Sequence, residues 1–278
     1  MTVYLEPMGG LCNRMRVIAS AYAFAKPQNG TIIVKWVANA ELNCPSKELF
    51  SLPENIRIVE VTESTPWNRF LAKITYYRLR LGYRNRMNDA SVLAAKQDGD
   101  LIPQDKTYYE TCETFHRDSR GLDFSLFRPV PDLQKNAEKK ILQISENGKY
   151  RVIGLHIRRT DNIVSIQSSP TELFCQVLDA RLKEDPSVRF YIATDDASLK
   201  EFFAGKYNAE REVVFFSDSS DLRRDAAEGI KAAYIELLTL SMTERIYGSR
   251  GSSYSDTAAE IGKIPMEAVA TDTIVSML

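Results

Sequence analysis

Val152-Ile153-Gly154-Leu155-His156-Ile157 runs without a break into Arg158-Arg159-Thr160-Asp161. The first six residues read as a strand buried on both faces, and the next four place two cations, a hydroxyl and an acid at its carboxyl end. Working outward, the pattern recurs. Strand-like Arg189–Ala193 ends in Thr194-Asp195-Asp196, Val213–Phe216 in Ser217-Asp218-Ser219-Ser220-Asp221, and Arg245–Tyr247 in Gly248-Ser249-Arg250-Gly251-Ser252-Ser253. A last strand is expected over Met266–Ala268. Helical spacing fills the gaps at Pro170–Lys183, Ala197–Phe203, Arg224–Thr239 and Ser255–Ile261, with Ser169 reading as an N-cap before a proline at the first helical position. Regular alternation of strand and helix predicts an α/β fold with a parallel sheet covered on both faces.

The N-terminal half opens the same way. A strand over Thr2–Leu5 leads into the loop Glu6-Pro7-Met8-Gly9-Gly10, then a helix over Cys12–Lys26 with Met15, Ile18, Tyr22 and Ala25 on one face, then strands at Thr31–Val37 and Ile56–Val61. Arg128-Pro129-Val130-Pro131, or else the polar stretch just before Tyr150, marks the boundary; the first gives domains over 1–130 and 131–278, with a helix at Asp132–Ile144 bridging the halves.

Composition excludes several classes. Lys and Arg total 36 against 37 Asp and Glu, so the formal net charge of -1 argues against a globally basic nucleic-acid binder. No apolar run approaches the roughly 18 residues of a membrane span. Met1-Thr2 leads straight into Val3-Tyr4-Leu5 with no basic leader, so a cytoplasmic location is expected. Cys12, Cys44, Cys112 and Cys175 form no C-x-x-C, and His116 and His156 are too few for a zinc cluster; reduced buried thiols are expected. Asp98-Gly99-Asp100 is a D-x-D, a pattern common by chance, and no metal is expected. One stretch departs from the even charge balance. Asn68 to Asn88 holds Arg69, Lys73, Arg78, Arg80, Arg84 and Arg86, interleaved with Phe70, Ile74, Tyr76, Tyr77 and Tyr83, and contains no acid. It reads as a solvated amphipathic helix, with an acceptor groove or peripheral contact with anionic membrane lipid at the inner face as sharper readings; nucleic acid is a weaker third.

Ligands of open parallel sheets bind outside the carboxyl ends of the strands. Adjacent guanidiniums at Arg158 and Arg159 suit a diphosphate, and the small residues from Ser249 to Ser253, just before a helix, let backbone N–H groups and hydroxyls approach a phosphate. Gly9-Gly10 is a weaker signal, since no G-x-G-x-x-G is present.

These pieces resemble the fucosyltransferase superfamily of the α-1,6-fucosyltransferases and bacterial nodulation fucosyltransferases, and more distantly the protein O-fucosyltransferases. The matching motifs are Gly9-Gly10-Leu11-Cys12-Asn13-Arg14, Gly154 through Asp161, Tyr191 through Asp196, and Ser252 through Ile261. The resemblance implies a GT-B fold, two Rossmann-like domains with parallel sheets facing a central cleft, the first on the acceptor side and the second on the donor side. It implies an inverting, metal-independent transfer of fucose from GDP-fucose, with no further cofactor, to a hydroxyl of a glycan or lipid-linked saccharide. By the same resemblance Arg158 holds the diphosphate with His156 close by, Asp195 and Glu236 lie near the nucleotide, and Ser252 donates to phosphate. Gly9, Gly10, Asn13 and Arg14 join the expected donor set through the first motif; Arg159, Thr194, Asp218, Ser249 and Ser253 join it from the strand ends. Inverting transfer needs a base. Glu6, entering the Gly9-Gly10 loop, is the first candidate and Asp161 the second. The α-1,6 enzymes carry a Glu shortly after the H-x-R-R-T-D motif, whereas Asn162 to Ser169 contains no acid. The alternatives are therefore a catalytically inactive nucleotide-sugar-binding protein on the same fold, or a transferase using a different nucleotide sugar.

Overall fold

The computed structural model describes residues 1–62, 65–97, 99–117, 121–159, 163–218 and 225–273. The chain divides into two compact units, Met1–Val130 with Arg223–Lys231 and Pro131–Leu222 with Ala232–Leu278.

The first unit contains β1 (Thr2–Pro7), α1 (Leu11–Ala25), β2 (Thr31–Ala38), β3 (Phe50–Ser51), β4 (Ile56–Thr62), α2 (Pro66–Arg80), β5 (Asn85–Asn88), α3 (Asp89–Ala95), β6 (Thr107–Thr111) and β7 (Arg128–Pro129). Five strands form a parallel sheet in the order β4-β2-β1-β6-β5, and β3 pairs antiparallel with β7. Side chains alternate across the sheet. Val3, Leu5, Ile32, Val34 and Trp36 are fully buried on one face, where Arg14 of α1 lies over the Trp36 ring. On the other face Tyr4 and Tyr108 cluster with Tyr83, packed by Ile33 and by Leu79 of α2. The short return at 225–231 completes this unit: the Asn43 amide donates to the Asp225 carbonyl at 2.7 Å, and Lys231 pairs with Glu48 at 2.7 Å. Strand β5 carries no sequence signal, because Asn85-Arg86-Met87-Asn88 is a polar edge strand with no apolar run.

The second unit contains α4 (Pro131–Ile144), β8 (Val152–Ile157), α5 (Ile163–Ser168), α6 (Thr171–Glu184), β9 (Arg189–Thr194), α7 (Ala197–Tyr207), β10 (Val214–Phe216), α8 (Ala227–Ser241), β11 (Ile246–Ser249), α9 (Ser253–Gly262) and β12 (Met266–Val269). The division between the units falls inside α8. The strands form a second parallel sheet in the order β10-β9-β8-β11-β12. Ile153, Leu155, Ile157, Phe190 and Ile192 pack on Phe174, Val177 and Leu178 of α6 and Phe203 of α7. Phe174 is fully buried, so truncating it to Ala would cost about 3–5 kcal/mol. On the opposite face α9 sits tight against the sheet: a Cβ at Gly248 would lie 2.5 Å from Ser255 Oγ. Register then sets the edge, pairing Ile157 with Thr194 and His156 with Gly248. Ser169 is not the cap of α6. Pro170 holds that place, and the Ser169 hydroxyl instead accepts from the Arg250 N–H at 3.0 Å.

Candidate functional site

The register of β8, β9 and β11 brings Arg158, Asp195 and Ser249 together at the carboxyl edge of the second sheet. Arg158 Nη1 lies 2.8 Å from Asp195 Oδ2, and the Arg158 N–H donates to Ser249 Oγ at 3.0 Å. Asp195 also accepts from the Arg159 N–H at 2.8 Å, so one carboxylate fixes the start of the loop after β8. The two arginines then diverge. The Arg159 guanidinium is half-buried over Phe174, donates to the carbonyls of Arg158 and Ser169 at 2.7 and 2.8 Å, and reaches Thr171 Oγ1 at 3.0 Å. It ties the loop to the start of α6. Arg158, with its side chain 18% exposed, is the guanidinium positioned to meet an anion.

Ser252 is the N-cap residue of α9, yet its side chain makes no capping bond, and Ser253 is the first helical residue. The helix N-terminus therefore presents backbone donors and a hydroxyl beside Arg158's strand neighbour, an arrangement suited to phosphate. Thr194 Oγ1 accepts from the Asp196 N–H, and Asp196 caps α7. Asp218, exposed beyond β10, pairs with Lys140 at 2.5 Å.

Behind this edge lies a buried polar group. The His156 ring stacks on Tyr254 of α9, with centroids 4.7 Å apart. The Tyr254 hydroxyl contacts the Ala233 carbonyl at 2.7 Å and Glu236 Oε2 at 3.3 Å. Glu236 Oε1 and His156 Nδ1 are buried with no hydrogen-bond partner among the described residues. Burial drives His156 down to about 3, against the attraction of Asp195, so the ring is neutral. Burial also raises Glu236 to about 7, opposed by Lys200 and the Tyr254 hydroxyl. Unpaired buried polar atoms are costly and call for a partner. Tyr254 was missed in the sequence; its one signal is an aromatic directly after Ser252-Ser253.

In the first unit, Gly9 takes φ +79 and its N–H donates to Glu41 Oε2 at 3.1 Å. Asn13 packs under this turn, with its Nδ2 2.9 Å from where a Gly9 Cβ would stand; the space at Gly10 is open. Arg14, expected among the donor ligands, is 1% exposed. It donates to Gly9 O at 2.8 Å, Val37 O at 2.6 Å and Asn39 Oδ1 at 3.1 Å, and burial lowers it to about 10. These contacts make it a brace for the loop. Glu6 does not stand free at the strand end either. It lies on the face of the sheet with Tyr4, where Lys35 Nζ holds both its oxygens at 3.1 and 3.0 Å and the Tyr108 hydroxyl donates to it. Both carboxylate oxygens are therefore engaged within the unit. Asp161 and Asp98 lie outside the described residues. Among the described residues no group of three or more His, Cys, Asp or Glu is placed to hold a metal.

Two Rossmann-like α/β units in one chain, each on a five-stranded parallel sheet, define the GT-B fold class. No protein-family model matches the chain. Among solved structures, NodZ α-1,6-fucosyltransferase soaked with GDP-fucose is similar at a TM-score of 0.62 and 15% identity, over 96% of this chain and 94% of that one. Fucosyltransferase NodZ from Bradyrhizobium gives 0.59 and 15% over 92% of each chain. POFUT1 in its apo form gives 0.55 and 10% over 96% of this chain and 97% of that one. The likeness to fucosyltransferases read from the motifs therefore extends to the fold of nearly the whole chain.

Proposed function

We propose that the chain is a glycosyltransferase whose second unit binds a GDP-sugar, GDP-fucose by the motif resemblance, and whose first unit serves the acceptor, a hydroxyl of a glycan or lipid-linked saccharide. The observation that carries the reading is the meeting at one edge of the second sheet of Arg158 and the uncapped Ser252 helix start, with the Glu236 carboxyl, one oxygen of it unpartnered, buried behind them. Guanine offers adjacent N–H and NH₂ donors, which a carboxylate accepts together; uracil lacks that pair. Arg158 and the α9 N-terminus stabilise the charge that develops on the leaving diphosphate. Transfer is metal-independent in this reading, since these groups supply the positive potential at the phosphates, and inverting by the motif resemblance.

The bound pair of Glu6 with Lys35 shifts the base assignment to Asp161, at the end of the Arg158-Arg159-Thr160-Asp161 run. Asn162 to Ser169 carries no acid, which keeps a non-catalytic sugar-nucleotide binder as the second reading.

Thermal shift with GDP, UDP and ADP tests the donor site. A ligand at a hundred times its Kd adds about 2.7 kcal/mol to the folded state. GDP and GDP-fucose are expected to raise the midpoint, and UDP and ADP to leave it in place. A response to UDP alone would sink the donor assignment. GDP-fucose binding with neither hydrolysis nor transfer across a broad acceptor panel would leave the binder reading standing.

A further inference from the structure

Helix α2 has no buried residue in its 15 positions, and its polarity is reversed. The inward side is small or polar: Tyr76 lies near Lys35, and Leu79 alone reaches the tyrosine cluster under the helix. The apolar residues point outward. Trp67, Phe70, Leu71, Ile74, Tyr77 and Leu81 recur at three- and four-residue steps, which places them on one ridge of the helix. Trp67 is 66% and Leu81 90% exposed, and the Trp67 and Phe70 rings already touch, with centroids 5.6 Å apart. A soluble helix buries such a ridge.

Cations flank it. Arg69 and Lys73 are exposed on the same helix, with Arg78 inside the ridge and Arg84 just beyond; none of these four has an ion pair among the described residues. Arg80 donates to the Tyr83 carbonyl and Arg86 pairs with Glu110. No acid occurs from Thr65 to Asn88. A nucleic acid would match the cations but not the aliphatic Leu71, Ile74 and Leu81. A second copy would match the ridge but set like charges against each other along its whole length. An anionic bilayer matches both: a wide apolar face with Trp and Phe, bordered by Lys and Arg, is the pattern of a helix lying in the headgroup plane. No helix among the described residues is long and apolar enough to cross a membrane, so contact is with the surface.

We propose that α2 docks the protein on an anionic membrane, with the Trp67–Leu81 ridge among the upper acyl chains and Arg69, Lys73 and Arg78 on lipid phosphates. The proposal stands apart from the donor reading.

The chain's two tryptophans supply the readout, because Trp36 is fully buried and Trp67 is exposed. The full protein is mixed with phosphatidylcholine vesicles, and with vesicles in which roughly one lipid in three is phosphatidylglycerol. Co-sedimentation with the anionic vesicles only is expected, weakened by salt and accompanied by a blue shift of tryptophan emission. Trp67→Phe should keep binding and lose the shift. Reversing Arg69, Lys73 and Arg78 to Glu should lower the partition coefficient at least tenfold, since each cation near such a surface is worth about fivefold. Trp67→Ser with Phe70→Ser should lower it similarly, with little change in the unfolding midpoint because both side chains are exposed. Failure to bind anionic vesicles overturns the proposal, as does binding untouched by the charge reversals. A dimer in solution that Trp67→Ser dissolves, without vesicle binding, would assign the ridge to a second copy instead.

Discussion

Arg14 follows the first strand of the first sheet and Arg158 follows the first strand of the second. Both sit beside a loop that the sequence alone marks as a ligand loop. Arg14 is enclosed, with its donors on Gly9 O, Val37 O and Asn39 Oδ1. Arg158 keeps a partly exposed guanidinium against Asp195. The acids follow suit: Glu6 is held by Lys35 and Tyr108, whereas Glu236 is buried with one oxygen unpartnered. Charged residues of the two α/β units thus do different work. Arg14 and Glu6 are satisfied within the first unit, whereas in the second Arg158 keeps some exposure and Glu236 an unpartnered oxygen.

The comparison breaks most visibly at Arg14. Arg14→Met strands three neutral acceptors, and each buried acceptor left unsatisfied costs about 1–3 kcal/mol. At roughly 2–4 °C per kcal/mol for a unit of this size, the midpoint should fall by about 10 °C. GDP affinity in the folded fraction should not change; a selective loss of GDP binding would return Arg14 to the donor site.

Arg158→Ala should do the reverse, lowering GDP affinity about a hundredfold by calorimetry, in line with roughly 3 kcal/mol for a charge-assisted contact, with a small change in midpoint. Arg158→Lys should recover only part of this, because a lysine lacks the planar fork. Wild-type affinity in the alanine variant would remove the diphosphate from this edge.

Glu236 offers a pH test. Its carboxyl holds a proton to about 7 in the folded chain and to an ordinary 4.5 when unfolded. The native state therefore binds more protons across that window, and stability from this group falls as pH rises. His156, held down to about 3 against 6.5, works oppositely, with stability rising through its own window. The two offset each other where the windows overlap. Glu236→Gln should accordingly gain stability over wild type as pH rises from about 4.5 to 7, by about 1–3 kcal/mol at the upper end. Wild-type GDP affinity should fall as pH drops below 7, where the ligand must displace the proton. A difference in stability that does not depend on pH would show that Glu236 titrates normally.

A smaller effect distinguishes the two candidate bases. Glu6→Gln should lower the midpoint by a few degrees, at about 1–2 kcal/mol for an isosteric change beside Lys35, and retain turnover. Asp161→Asn should keep the fold and lower kcat about a hundredfold. The opposite pair of results would restore Glu6 as the base. Chelator should have the smallest effect: turnover in excess EDTA should match turnover without it, and loss restored by Mn²⁺ would refute the metal-independent reading.

The unequal legibility of the two units has a physical cause. Val152–Ile157 and Arg189–Thr194 are central strands buried on both faces, so their apolar runs announce them. Asn85–Asn88 lies at an edge and needs no such run. The cluster at the second sheet's edge was readable because each member ends or directly follows a strand. Tyr254, His156 and Glu236 meet from α9, β8 and α8, and no local pattern connects three elements so far apart in sequence. The bracing contacts of Arg14 have no local signal for a related reason: the carbonyl of Val37 reaches it only through the sheet. Ser169 has the composition of a cap, but the hydroxyl went to Arg250.

The return of 225–231 to the first unit bears on how the protein is made. A ribosome adding about 5–20 residues per second releases the strands of the first sheet well before that segment. Until it emerges, Asn43 and Glu48 lack Asp225 and Lys231. By then β8, β9 and β10 have also been synthesised, so the N-terminal unit is begun first but cannot be finished first. A stalled chain ending at residue 222 should accordingly be digested by protease within its first 130 residues faster than the full-length protein.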